Sequence, residues 1–177
     1  IKTPDDYVMP PGGLNIRVLD QALDKEARLH DHKRAAILAF ARANKFDRLV
    51  TSGGAAPKIG IISCGKSYLD VRQAMDELGI DEVAANQLGI RLYKVGMTWP
   101  LEPQGIAKFA EGLDLILVIE EKRSLVETQV KEQLFDTPNR PRVLGKKDEN
   151  NQWLFPAKGA LDPTDIAVEL GERIITH

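Results

Sequence analysis

The sequence predicts an α/β fold, a mostly parallel sheet covered on both faces by helices. Two observations carry that prediction. Three apolar runs, Lys58–Gly65, Arg91–Gly96 and Asp114–Glu120, are each followed by a stretch with helical spacing, and strands that alternate with helices in this way build parallel sheets. Hydrophobic residues make up 43% and charged residues 28% of the 177 positions, the balance of an ordinary globular domain with room for a core. In such sheets ligands gather where strand C-termini meet helix N-termini.

Taken in chain order, residues 1–15 hold Pro4, Pro10-Pro11 and Gly12-Gly13 and read as an extended arm. From about Val18 to Phe46 the pattern is helical, with Leu29, Ala36, Ile37, Phe40 and Ala41 at i, i+3, i+4 spacing. Arg48–Pro57 contains Ser52-Gly-Gly-Ala-Ala-Pro57 and is expected to be a flexible connector. Residues 1–57 are therefore expected to be an arm, helix and linker that belong to a preceding region, and 58–177 to be the α/β domain.

Within that domain the first strand ends at Cys64-Gly65, and Ser67 with Asp70 is placed to cap the following helix. Val71, Ala74, Met75 and Leu78 form its inward stripe and Gly79 its C′ residue. A short helix over about Glu82–Leu88 precedes strand Ile90–Val95. The loop Gly96–Pro103 leads into a helix with Ile106, Phe109 and Ala110 facing the sheet, Pro103 suiting its first position. Strand Leu115–Ile119 is followed by a helix capped by Ser124 and running to about Phe135, with Leu125, Val126, Gln129, Val130 and Leu134 repeating. Arg142–Gly145 and Trp153–Phe155 read as short strands joined by a polar hairpin connection over 146–151. Pro163 opens a last helix with Ile166, Ala167, Leu170 and Ile174 inward, which brings the sheet to five strands.

Several function classes are excluded by composition. A net charge of −2 lacks the basic footprint of a nucleic-acid binder. No apolar run approaches the roughly 20 residues a membrane span requires. Cys64, the one cysteine, excludes an internal disulfide and a self-contained iron–sulfur cluster, so a reducing, cytoplasmic setting is expected. The chain opens Ile1-Lys-Thr-Pro without an initiator Met or signal-peptide core, as expected of a piece of a longer protein.

Candidate sites lie at strand ends. Gly65-Lys66-Ser67 forms a weak anion-site candidate at a strand-to-helix turn, although a lone glycine is not a phosphate loop, and a tight turn with an ordinary cap explains the same residues. Cys64 beside a helix N-terminus is placed for a lowered pKa; the plainer reading is a small buried hydrophobe. Glu120-Glu121 ends the third strand, where adjacent side chains point to opposite faces and cannot share a proton, and an interface or helix-dipole role is expected of the pair. Trp99 sits in a loop, either anchoring a partner or folded over the sheet edge. His30 and His32 diverge on a helix and do not converge on one metal ion. Neither a nucleophile triad nor a Gly-x-Ser-x-Gly elbow is present, so no catalytic and no metal-binding residue is expected.

Lys58-IGIISCGKSY-Tyr68, Gly89-IRLYKVGMTWPL-Leu101 and Asp114-LILVIEEKRSLVETQV-Val130, together with the Trp153–Leu161 tail, carry a resemblance. Over about residues 58–175 the chain resembles the thiamine-diphosphate-dependent 2-oxoacid:ferredoxin oxidoreductases, and among them the indolepyruvate ferredoxin oxidoreductases. The resemblance implies the transketolase C-terminal-like fold, a three-layer α/β/α sandwich with one antiparallel strand in a five-stranded sheet. It implies a parent enzyme that oxidatively decarboxylates aryl pyruvates to acyl-CoA, using thiamine diphosphate, Mg²⁺, iron–sulfur clusters, coenzyme A and ferredoxin. The family's Mg²⁺-holding Gly-Asp-Gly and its cysteine-rich motifs are missing from this sequence. A non-catalytic domain that organises subunits is thus expected, binding no cofactor itself and contacting other domains of the enzyme and a second subunit. By the same resemblance Trp99, Glu120 and Glu121 are interface candidates. The alternatives are an anionic small-molecule binding module, or the C-terminal domain of a transketolase or 2-oxoacid dehydrogenase.

Overall fold

In the computed structural model, which describes residues 1–176, the three apolar runs become strands β2 (Ile59–Cys64), β3 (Ile90–Val95) and β4 (Leu115–Ile119). They pair in parallel, and β5 (Arg142–Leu144) extends the sheet beyond β4. The fifth strand is β1 (Arg48–Ser52), antiparallel to β3, so the order is β1-β3-β2-β4-β5. The sheet is five-stranded and mostly parallel with one antiparallel member, as the sequence indicated, but that member is not where the sequence placed a strand. Arg48–Ser52, expected to be connector, supplies it. Trp153–Phe155, expected to be a strand, makes only an isolated bridge between Lys147 and Trp153. Leu154 and Phe155 are instead buried as core plugs.

Alternation along the strands divides the core in two. Ile61, Leu92, Leu115, Leu117 and Leu144 face α3 (Gly65–Glu77), α4 (Glu82–Gln87) and α7 (Pro163–Thr176). Ile62, Tyr93, Ile116 and Val118 face α5 (Pro103–Ala110) and α6 (Val126–Leu134). Side chains two apart share a face of a strand, so a continuous apolar run feeds both layers and the helices complete an α/β/α sandwich. Gly60 lets α5 approach closely: a Cβ there would lie 2.8 Å from Phe109 Cζ and 2.5 Å from Leu113 Cδ1. Val71, Ala74 and Met75 bury the inner face of α3, while Leu78, read as part of that stripe, is 40% exposed. On α6 the buried stripe is Val126, Val130 and Leu134, and Leu125 lies outside it.

The chain divides into two compact units, Ile1–Phe46 and the part from Asp47 onward. In the first, α1 (Ala22–Arg28) continues through a π-helical segment at Leu29–Lys33 into α2 (Arg34–Ala43). Among the described residues no helix is long and apolar enough to cross a membrane.

Candidate functional site at the strand ends

The strand order reverses between β2 and β4: the chain leaves β2 for β3 on one side, then returns across it to β4 on the other. A crevice at such a reversal, outside the strand C-termini, is where open α/β sheets bind ligands. Two of the sequence candidates meet there. Gly65–Ser67 follows β2 and Glu120-Glu121 follows β4, and Lys66 Nζ stands 3.7 Å from Glu121 Oε1. The same ammonium donates to Asp70 Oδ1 and Oδ2 at 2.9 and 2.7 Å. Those hydrogen bonds to Asp70, with the nearby charge of Glu121, raise the Lys66 pKa. The cation of the presumed anion turn is thus already engaged by carboxylates. Ser67 does not cap the helix: α3 begins at Gly65, its N-cap is Cys64 without a side-chain cap bond, and Ser67 is buried at the third position of the helix. The Cys64 thiol is not activated either, because burial, and then the Glu120 charge, push its pKa up.

Glu120 turns the other way, into the protein. Only 5% exposed, its carboxylate accepts the amides of Leu125, Val126 and Glu127 at 3.0 Å each. It is the anionic cap of α6, satisfying donors that a helix start leaves open and complementing the dipole. Ser124, expected to be that cap, instead donates its hydroxyl to Glu127 Oε2 at 2.7 Å. Glu120 therefore lies beneath the surface, and of the adjacent pair only Glu121 reaches it in part.

Beneath this cap sits a lysine that sequence reasoning placed in a polar hairpin. Lys146 is 6% exposed. Its ammonium donates to the Glu120 carbonyl and, at 3.2 Å, to the Pro156 carbonyl. Its amide donates to Glu127 Oε2 at 3.0 Å. Burial lowers the Lys146 pKa, opposed by the charges of Glu120, Glu127 and Glu121. Burial alone would raise Glu127, but the Lys131 ammonium, the Lys146 amide and the Ser124 hydroxyl outweigh it and hold the carboxyl below its ordinary value. Gly145 makes the approach possible, since a Cβ there would fall 2.2 Å from Glu127 Oε2.

The third candidate, Trp99, stands at the end of neighbouring β3, 56% exposed. Its loop is held from several sides. Asp47 Oδ1 accepts the Gly96 and Met97 amides at 2.8 and 3.3 Å. Gln129 donates to the Thr98 carbonyl at 2.8 Å and accepts the Leu101 amide at 2.9 Å. Gln133 donates to the Leu101 carbonyl at 2.9 Å, and Glu102 caps α5 through the Gln104 and Gly105 amides. Burial raises the Asp47 pKa against those two amides. The clamps from Asp47, Gln129 and Gln133 were not legible in the sequence, because their partners lie 28 to 50 residues apart.

Among the described residues no three His, Cys, Asp or Glu side chains are grouped to hold a metal. A cleft of about 1010 Å³ opens at the opposite end of the sheet, beside Asp114 and Arg142 at the starts of β4 and β5. Arg173 on its wall is paired with Glu149 at 2.8 Å.

The fold is that of an α/β domain also present in a transketolase and a 2-oxoglutarate:ferredoxin oxidoreductase. A split-gene transketolase, solved as an inactive β4 tetramer, superposes with a TM-score of 0.50 at 13% identity over 73% of this chain and 41% of that one. The 2-oxoglutarate:ferredoxin oxidoreductase from Magnetococcus marinus, solved with 2-oxoglutarate, coenzyme A and succinyl-CoA bound, gives 0.51 at 17% identity over 87% and 24%. At these identities the likeness is one of fold. Sequence goes further: residues 49–177 match the indolepyruvate oxidoreductase domain, and the chain belongs to that family. Indolepyruvate oxidoreductase subunit IorA of Pyrococcus horikoshii is 37% identical over 89 residues, 50% of this chain and 13% of the relative. Its counterpart in Methanothermobacter marburgensis is 26% identical over 131 residues, 73% of this chain and 18% of the relative. The chain thus corresponds to a small part of the relatives it matches.

Proposed function

We propose that this domain is non-catalytic and organises the subunits of an indolepyruvate:ferredoxin oxidoreductase. The parent would be a cytoplasmic enzyme that oxidatively decarboxylates aryl pyruvates to acyl-CoA, with ferredoxin as electron acceptor. One observation carries the reading. At the crevice where chemistry would be sought, the charged groups are taken up by the protein itself: Glu120 by three amides, Lys146 by two carbonyls, and Lys66 by Asp70 and Glu121. A catalytic acid or base needs an open path to a reacting proton, and these groups have structural partners instead.

The cofactors of the parent do not fit the residues present. Thiamine diphosphate requires a Mg²⁺ site, whereas the carboxylates of this crevice cap a helix or pair with lysine. An iron–sulfur cluster requires several thiolates, and the chain carries one. Those groups would belong to other domains, which this one positions. Trp99, on a loop fixed by Asp47, Gln129, Gln133 and Glu102, supports an interface role, since a large aromatic on a preorganised loop loses little entropy on docking. Carboxylates outnumber Lys66 at the Gly65–Ser67 turn, which disfavours the anionic-ligand alternative.

In the assembled enzyme, Lys66→Ala and Glu121→Gln are expected to leave kcat within about twofold, whereas loss of a general acid or base costs about 10²–10⁴. Trp99→Asp is expected to weaken subunit assembly by about 2 kcal/mol or more, read by sedimentation, with the melting temperature of the isolated chain unchanged. A drop of about 100-fold in kcat for Lys66→Ala with assembly intact would contradict the proposal.

A further inference from the structure

The sheet ends on a strand whose outer edge is open. β5 is last in the order β1-β3-β2-β4-β5 and pairs only with β4. The Arg142 amide donates to the Asp114 carbonyl at 2.9 Å, and successive residues of a strand turn their backbone groups to opposite sides. Arg142 and Leu144 therefore serve β4, and Val143 presents its amide and carbonyl along the free edge. Such an edge is a template for a further strand.

Two clefts meet on this edge. One of about 1010 Å³ and one of about 670 Å³ are both lined by Arg142, Val143 and Leu144. The first runs between the ends of α6 and α7, with Phe135 on one side and Thr176 on the other. The second continues to Trp153. Every residue that lines them belongs to the unit from Asp47 onward. Each cleft holds an exposed aromatic beneath a cation. Arg140 Cζ lies 5.3 Å from the centre of the Phe135 ring and Lys147 Nζ 5.4 Å from that of Trp153. A backbone edge flanked by side-chain pockets is the geometry of strand addition.

Charge selects the occupant. Most carboxylates of the clefts are engaged: Asp114 by Lys58, Glu127 by Lys131 and Glu149 by Arg173, at 3.0, 2.5 and 2.8 Å. Asp148 accepts the Asn150 and Gln152 amides, and Glu172 is the exception. Arg123, Arg140 and Arg142 are exposed, and among the described residues none has a carboxylate within ion-pair distance. Guanidiniums without a counter-charge outnumber such carboxylates, an excess that draws an acidic partner. A second copy of this chain fits poorly, because pairing β5 with β5 sets Arg140 and Arg142 against their own counterparts.

We propose that the free edge of β5 accepts an extended acidic segment of a partner protein as a further strand, its backbone on Val143 and its carboxylates on Arg140 and Arg142. The edge lies apart from the crevice between β2 and β4, so the inference goes beyond the organising role and does not rest on it.

Two capped hexapeptides, Glu-Val-Glu-Val-Glu-Val and Lys-Val-Lys-Val-Lys-Val, test it by titration calorimetry on the 177-residue chain. The acidic peptide is expected to bind about tenfold or more tighter than the basic one, and to slow exchange of the Val143 amide by about tenfold or more. Arg140→Glu with Arg142→Glu reverses the preference. Val143→Pro removes the outward amide but no bond to β4, and weakens binding of the acidic peptide by about tenfold or more. The acidic peptide N-methylated throughout repeats that test on the unaltered chain and is expected to bind as weakly. No binding of either peptide up to about 1 mM, or equal affinity for both, overturns the inference. Undiminished binding of the methylated peptide also overturns it, leaving charge attraction without a strand. A dimer in sedimentation that Val143→Pro dissociates overturns it too, and gives the edge to a second copy.

Discussion

Glu120 shows how one side chain settles the character of this sheet edge. Its carboxylate takes three amides of the first turn of α6. Glu120→Ala leaves those donors without their acceptor in a nearly dry site, at about 1–3 kcal/mol, measurable as a lower ΔG of urea unfolding at unchanged slope. Glu127 makes the edge sensitive to acid. Its pKa is held below the ordinary 4.5, so its contribution is complete above that value and is lost as pH falls through the lower, folded-state pKa. Glu127→Gln should therefore flatten the loss of stability below about pH 4.5 while lowering stability at pH 7, as followed by thermal unfolding across pH. The position of a carboxylate at a strand end was legible in the sequence. Its helix-dipole role was legible in outline, but the cap itself was assigned to Ser124, the nearest residue with a capping side chain, whereas Glu120 reaches past it from the preceding strand. Lys146 was illegible for the same reason: its partners Glu120 and Glu127 lie 26 and 19 residues away.

At the scale of elements, the strands buried on both faces were legible from their apolar runs and the edge strand β5 was read as a short strand, whereas the antiparallel edge strand β1 was not legible. Arg48-Leu-Val-Thr-Ser52 stands next to Gly53-Gly54, and its identity as β1 depends on β3 alone. The pairing is irregular between Leu49 and Thr51, and there the Thr51 hydroxyl repairs the ladder: it donates to the Ile90 carbonyl at 3.0 Å and accepts the Leu92 amide at 2.9 Å. Thr51→Val keeps the shape and removes both bonds. It should cost about 1–3 kcal/mol and speed exchange of the β1 and β3 amides before those of β2 and β4. Trp153–Phe155 misled in the opposite sense, since apolar residues between turns read alike whether they pair as a strand or only fill a core. Gly60→Ala tests the packing of α5 on β2: the added methyl meets the Phe109 ring, and overpacking of this kind costs about 1–3 kcal/mol.

For the molecule as a whole, the ordered set of Ser-Cys-Gly, Lys-Val-Gly with Trp-Pro-Leu, and Val-Ile-Glu-Glu was enough to indicate the family to which residues 49–177 belong. Those motifs lie at the C-terminal edge of three adjacent strands and are contiguous in sequence, so they read as a pattern, whereas the clamps around them, Asp47, Gln129 and Lys146, join residues far apart in the chain. In the proposed role this edge organises neighbours and binds no cofactor of its own. Thermal unfolding of the 177-residue chain tests it most directly, with Mg²⁺–thiamine diphosphate, coenzyme A and inorganic phosphate each added in turn. A ligand present at about 100 times its Kd stabilises by about 2.7 kcal/mol, which for a chain of this size is a rise of about 5–10 °C in Tm. The organising role predicts a Tm constant to within about 1 °C with all three. A rise of about 5 °C or more with any one, abolished by Lys66→Ala, would contradict it and return the chemistry to the crevice between β2 and β4.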